Sequence, residues 1–351
     1  MSKTQQMITG QLSWHRSAWL FVVLLAGISI VIGFSYFHKK QEIVAEILQS
    51  QQTRLKITTR ILDASLGGVN TDVRFFQSLI AGMDTDSVEA IRNLQNIMLT
   101  FMQQNSAEYS QLRFIDDTGH ERVRVDNRDG QSILFDEDNL QNKAGRYYVT
   151  ETFALQPGQI YHSPMDLNKE YGRIELPLNP TIRIAMPVYK MPEGMLEGMV
   201  IINYKTANLL EQLETGQNSS RLWMLNQQGY WLIGDQQHLP WGFMLDQHRD
   251  SQLKLLYPDL WTAVQALDAN VVQSMTTSAD GIFSMLRYQS THNELADRDA
   301  YWLLITRFEP AQIDSQMLPM QQLHLLFVFL GLIISLLLTY GINRFLQHRH
   351  W

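Results

Sequence analysis

From residue 39 to about residue 104, apolar side chains recur every three or four positions. Ile43, Ile47, Leu55, Ile61, Leu62, Leu66, Val69, Val73, Phe76, Leu79 and Ile80 stand among Gln, Lys, Arg and Glu. That period draws one apolar stripe along a helix. Gly67-Gly68 and Gly82-Met83-Asp84 each predict a break in it, and Asp84-x-Asp86-Ser87 with Glu89 predicts the start of a second helix over residues 86–104. The stripe either packs on the domain that follows or pairs in part with a second copy of the chain.

After Ser106 the period shortens to two. In YSQLRFIDDTGHERVRVD, Leu112, Phe114, Val123 and Val125 alternate with polar neighbours around Asp117-Thr118-Gly119, which predicts a hairpin. Residues 182–189 and 195–204 predict a second strand pair, joined by a loop holding Pro192-Glu193-Gly194. The same order then recurs. RLWMLNQQGYWLIG is strand, turn at Gly229 and strand, and IFSMLRYQSTHNELADRDAYWLLITRF is a later pair with a longer loop. Gly119 and Gly229 lie 110 residues apart, so the expectation is two copies of one β-rich unit. The second copy is rich in aromatic rings, among them Trp223, Trp231, Trp241, Trp261 and Trp302, which predict a core. Its loop THNELADRDA reads as a solvated connection or a partner contact.

Both ends of the chain show a third pattern. Residues 18–37 and 323–342 are each twenty residues without Asp, Glu, Lys or Arg, long enough at about 1.5 Å per residue to cross a hydrocarbon core of roughly 30 Å. Trp14, Trp19, Tyr36, Phe37, Tyr340 and Phe345 supply interfacial aromatics. A cleaved signal peptide is the alternative for the first segment, but FSYFHKKQ offers no small-residue cleavage site. The outer tails, 1–17 and 343–351, hold Lys3, Arg16, Arg344 and Arg349 and no acid, which predicts cytoplasmic tails; Lys39 and Lys40 pull the other way.

Charge and composition exclude several functions. The net charge is −7 and the tails hold four positive charges, leaving −11 for the segment between the spans, so no nucleic-acid partner is expected. With no cysteine there is no disulfide, thiolate nucleophile or Cys-based metal site. No G-x-S-x-G, H-E-x-x-H, P-loop or dinucleotide fingerprint occurs, and the ten histidines are scattered. No enzyme activity, cofactor or metal is therefore expected.

The motifs YSQLRFIDDTGHERVRVD, LQNKAGRYYV, IYHSPMDLNKE, PTIRIAMPVY, EGMVIINY, MLNQQGYWLIG and WGFML, in that order after a first span and a long helix, resemble the double Cache sensor modules of bacterial histidine kinases, diguanylate cyclases and chemoreceptors. The resemblance implies an α+β fold of two tandem PAS-like Cache domains on a long N-terminal helix, flanked by two transmembrane helices. It divides the chain into a stalk with helices at 38–105, a membrane-distal domain at 106–205 and a membrane-proximal domain at 206–310. It also implies a two-pass protein of the bacterial inner membrane with its main domain in the periplasm and a ligand pocket in the distal copy. Such sensors usually continue into an output domain, whereas here nine residues follow Ile342, so output is expected from a separate cytoplasmic or membrane effector protein, or from a longer receptor of which this is part.

The candidate site follows from RYYVTETFALQPGQIYHSPMDLNKE, residues 146–170. Arg146 suits a carboxylate, Asp166 a protonated amine, and Tyr148 and Tyr161 apolar walls with polar tips; Arg183, on the strand after Pro180, is the fifth candidate. In the amino-acid-binding Cache families an Arg is followed by aromatic rings and then an Asp, and this stretch is similar. If it is a strand, Tyr147 and Tyr148 point to opposite faces and only one lines a given pocket. The same polar groups also suit a surface ion pair and a loop tied to its own backbone. Two functions remain: a sensor that binds a small solute or a periplasmic protein and signals through its spans, with a homodimer left open, or a structural partner that uses the fold as a docking surface.

Overall fold

In the computed structural model, residues 3–128, 130–170, 172–190, 194–215, 220–277, 280–290 and 301–348 are described. The chain divides into two compact units: Gln51–Met275 with Phe283–Arg307, and the remaining described residues. The loop 291–300 and most of the loop after residue 190, both singled out in the sequence, lie outside the described residues.

The first helix, α1 (Lys3–Ala81), is unbroken. Gly67-Gly68 therefore does not interrupt it. Each glycine costs about 1 kcal/mol in a helix interior, but Leu62, Leu66, Val69, Val73 and Phe76 are almost fully buried on either side of the pair, and that packing outweighs the cost. The predicted second break holds: α1 ends at Ala81, and α2 (Val88–Gln104) starts from Ser87, whose hydroxyl caps the Ala90 amide.

Two antiparallel sheets follow. The first holds β1 (Tyr109–Asp116), β2 (Glu121–Arg128), β3 (Gln131–Leu134), then, after α3 (Tyr147–Phe153), β4 (Tyr161–His162), β5 (Asp166–Leu167), and, beyond a small hairpin of β6 (Lys169–Glu170) and β7 (Arg173–Ile174), β8 (Pro180–Lys190) and β9 (Met195–Lys205). Its order is β3-β2-β1-β9-β8-β4, with β5 beside β8. After α4 (Ala207–Glu214), the second sheet holds β10 (Arg221–Asn226), β11 (Trp231–Ile233), and, past α5 (Leu253–Leu256) and α6 (Pro258–Gln265), β12 (Val272–Thr277), β13 (Gly281–Tyr288) and β14 (Trp302–Phe308), in the order β11-β10-β14-β13-β12. The pairing β2-β1-β9-β8 recurs as β11-β10-β14-β13, the repeat read from Gly119 and Gly229.

Both sheets lay one face on α1. Leu112, Phe114, Val123, Ile182 and Ile202 of the first, and Met224, Leu286 and Leu304 of the second, share one apolar cluster with Leu62, Leu66 and Phe76. Polar side chains punctuate this seam: Tyr109 donates to Asp72, Tyr288 to Asp63 at 2.7 Å, Arg54 to the Ser220 carbonyl, and His162 meets Asn70 at 2.6 Å. The far face of the second sheet buries Trp223, Trp231, Phe283 and Ile305 with Leu253, Leu260 and Val264, the aromatic core expected there.

In the other unit, α7 (Pro310–His348) contains Pro310–Leu338, which among the described residues is long and apolar enough to cross a membrane. Tyr36 and His324 meet edge to face with centroids 5.3 Å apart, and a Cβ added at Gly331 would come within 3.0 Å of Ile28 Cγ2, so α1 and α7 pack closely there.

Candidate functional site

The remaining face of the first sheet is polar and buried. Along β1 and β2 the residues opposite Leu112, Phe114, Val123 and Val125 are Gln111, Arg113, Arg124 and Asp126, and all eight are buried. Arg113 and Arg124 stand directly opposite each other in the register, a repulsive placement unless acids intervene. Glu121, wholly buried, supplies one: its carboxylate lies 3.5 Å from Arg113 and 3.8 Å from Arg124 and accepts the Gln141 amide at 3.0 Å. Asp126 takes Arg124 at 2.6 Å. Asn203 of β9 joins the network, accepting from Arg113 at 3.1 Å and donating to Gln111 at 2.9 Å.

This polar face is the floor of a cavity of about 1050 Å³. Its wall is the stretch 141–169. The turn at Gly119 fixes where that wall begins, because Lys143 donates to the Gly119 carbonyl at 2.7 Å and a Cβ at residue 119 would stand 2.6 Å from Ala144 Cβ. With φ at +81°, only glycine serves both the turn and this contact readily. Lys143 and Arg146 are thereby carried to the cavity rim.

All five sequence candidates line this one cavity: Arg146, Tyr148, Tyr161, Asp166 and Arg183. The strand expected at residues 147–148 is instead the helix α3, with Arg146 as its extended N-cap. Its sequence, YYVTETF, favours strand by composition; burial of Tyr148, Val149 and Thr152 on one helical face against the sheet overrides that preference. The alternation argument consequently fails, and Tyr147 and Tyr148 both line the cavity.

Arg183 is 8% exposed, donates to Asp166 at 2.8 Å and to Asn168 at 3.2 Å, and lies over the Tyr148 ring at 5.9 Å. Arg113 bonds the Tyr148 hydroxyl at 3.3 Å. Burial raises the Asp166 carboxyl above its ordinary range, although Arg183 opposes the shift. Burial also acts to raise the Tyr148 phenol, but Arg113, Lys143 and Arg183 together outweigh it and hold the phenol below its ordinary value. Tyr161 goes the other way, pushed up by burial and then by nearby Glu151. One buried donor on a lining residue, Arg113 Nε, has no hydrogen-bond partner. Such an orphan carries a desolvation cost that an acceptor entering the cavity would relieve.

Arg113, Arg124, Lys143 and Asn203 were not singled out in the sequence. Their positions within alternating strands or an exposed loop resemble solvent-facing ones; the available signal was the acid and base spacing of ERVRVD opposite QLR.

A second polar cluster lies within the aromatic core of the other sheet. Buried His238 bonds Asp235 through Nδ1 at 2.7 Å and the Tyr257 hydroxyl through Nε2 at 3.1 Å. Burial lowers its pKa against the opposing pull of Asp235, with Arg307 and Arg221 adding to the fall. The unfolded histidine, at about 6.5, thus takes up a proton first as pH drops, so this contribution to stability is complete above about 6.5 and declines below it. The melting temperature is expected to fall between pH 7.5 and 5.5, and His238→Gln to flatten that fall in thermal melts.

Among the described residues no cluster of His, Asp and Glu is arranged to hold a metal. Residues 47–295 match the family described as "Bacterial histidine kinase, sensor domain". No curated protein matches the chain. Solved structures do. A Vibrio parahaemolyticus domain assigned to the sensory box/GGDEF family shares 18% identity over 74% of this chain and 99% of its own, with a TM-score of 0.54. The extracellular domain assigned to histidine kinase vpHK1S-Z8 shares 17% identity over 76% and 96%, with a TM-score of 0.53. The ligand-binding domain of Campylobacter jejuni chemoreceptor Tlp3, solved with L-valine, shares 12% identity over 78% and 97%, with a TM-score of 0.56. The chain has the fold of these double Cache sensor domains.

Proposed function

The chain belongs to the bacterial histidine kinase sensor-domain family, and on that footing we propose that it is a periplasmic sensor whose cavity binds a small solute carrying both a carboxylate and an amine. One observation carries the reading: a cavity floored by buried cationic side chains, among them Arg113 with an unpartnered Nε, and flanked by the half-buried acid Asp166 that Arg183 holds. Arg113, Lys143 and Arg146 would take the carboxylate, Tyr148 and Tyr161 would flank it, and Asp166, held by Arg183, would take the amine. The L-valine bound by the Campylobacter jejuni relative supports an amino-acid-like ligand.

We further propose membrane anchoring through residues 18–37 and 323–342, a distal domain at 106–205 and a proximal domain at 206–310, with a separate effector protein reading the helices. Ligand would bias the stalk helix only by its differential affinity for two helix positions.

The test is thermal melting of the full chain in detergent against the twenty amino acids and small carboxylates. Occupancy at a hundredfold excess over Kd stabilises by about 2.7 kcal/mol, which raises Tm by roughly 5–10 °C for a domain of this size. A flat response across the whole set would remove the reading.

A further inference from the structure

The cavity has two chemically distinct poles. Every charged side chain that lines it comes from residues 113–183, whereas the lining residues from 226–302 are all uncharged. Four of these, Asn226, Gln227, Gln228 and Ser290, are polar; Phe243, Met244, Tyr288 and Trp302 form the apolar part of that second wall, joined by Leu167 from the first half. Met244 is fixed there: its sulfur accepts the Leu167 amide at 3.1 Å, one residue from Asp166. The turn that presents Phe243 and Met244 begins at Trp241, which is 5% exposed with φ at +66°. That region is costly for a residue with a bulky side chain, so the surrounding structure holds the turn against local preference. Tyr288 and Trp302 stack with centroids 5.8 Å apart at 13°, the Tyr288 hydroxyl being taken up by Asp63.

Size points the same way. The cavity, at about 1050 Å³, stands at the upper end of small-molecule pockets, which run roughly 300–1,000 Å³, and so has room for a ligand larger than one ordinary amino acid.

We propose that the ligand is elongated: a zwitterionic head at the Arg113, Arg183 and Asp166 pole and a linear apolar tail, longer than that of a protein amino acid, reaching Met244, Phe243 and Trp302. The inference rests on the head-group site proposed above. The two halves of the sensor domain would then be bridged by one molecule, with charge recognised by the first sheet and tail length measured by the second.

The experiment is isothermal titration of the full chain in detergent with 2-aminobutyrate, 2-aminohexanoate, 2-aminooctanoate and 2-aminodecanoate. Affinity is expected to rise roughly fourfold per added methylene, the equivalent of about 0.8 kcal/mol each. Met244→Glu is expected to flatten that rise, as is Phe243→Ala should the first variant fail to fold. Equal affinity along the series, or a slope untouched by the variant that folds, overturns the apolar pole while leaving the head-group site standing. Binding by no member at any length overturns both.

Discussion

Glu121→Gln is expected to destabilise the protein by about 3 kcal/mol, the lower end of the range for breaking a buried ion pair on one side. Glutamine keeps the shape and still accepts the Gln141 amide, so the loss isolates the charge. Without it Arg113 retains only neutral partners, Asn203 and the Tyr148 hydroxyl, in a site where its own side chain is 4% exposed. Arg124 keeps Asp126 at 2.6 Å and is the less affected of the two. At 2–4 °C per kcal/mol, Tm should fall by roughly 6–12 °C. Chemical denaturation is the cleaner measurement, since an unchanged slope with a shifted midpoint confirms a pure stability effect. A loss below about 1 kcal/mol would mean that Asp126 alone neutralises both guanidinium groups.

Arg183→Met is expected to weaken binding of an amine-bearing carboxylate ligand by roughly 10- to 150-fold, the equivalent of one charge-assisted hydrogen-bonded partner at 1.5–3 kcal/mol. The effect is indirect. Arg183 holds Asp166 ionised against burial; once it is gone, burial takes the carboxyl further up and the amine loses its counter-charge. The wild-type protein carries a milder form of the same weakness. Because the Asp166 pKa is already raised, affinity should begin to fall, as pH drops, above the ordinary carboxylate range. Arg146→Ala is the companion variant: its side chain is exposed at the cavity rim, so the fold should stay within about 0.5 kcal/mol of wild type while ligand response falls. Full ligand response in Arg183→Met would place the binding determinants elsewhere in the cavity.

The sequence spoke most clearly where one local rule decided the outcome. The hairpin at Asp117-Thr118-Gly119, the strand pair after Pro180 and the cap at Ser87 are all present, and each rests on a turn, an alternation or a capping side chain within a few residues. It misled where distant packing overrode local preference. Gly67-Gly68 stays helical because two sheets press on the stripe around it, and YYVTETF becomes a helix because one face of it is buried. The site was half legible. Its aromatic and acidic wall, residues 146–166, is contiguous in sequence, while its floor is assembled from four strands. Arg113 and Arg124 could not be told from surface residues until a second layer covered the polar face of the sheet.

The polar seam along α1 has a further consequence. Asp63, Asn70 and Asp72 receive side chains from both sheets and from the cavity wall, at fixed intervals along one rigid rod. Such contacts act as detents. A displacement of a few tenths of an ångström stretches all of them together, and a new set of partners becomes available only after about one helical turn, some 5.4 Å. The rod should therefore resist graded sliding and either hold its notch or tilt and rotate within it. Any sliding of this helix would be opposed by three side-chain hydrogen bonds at once.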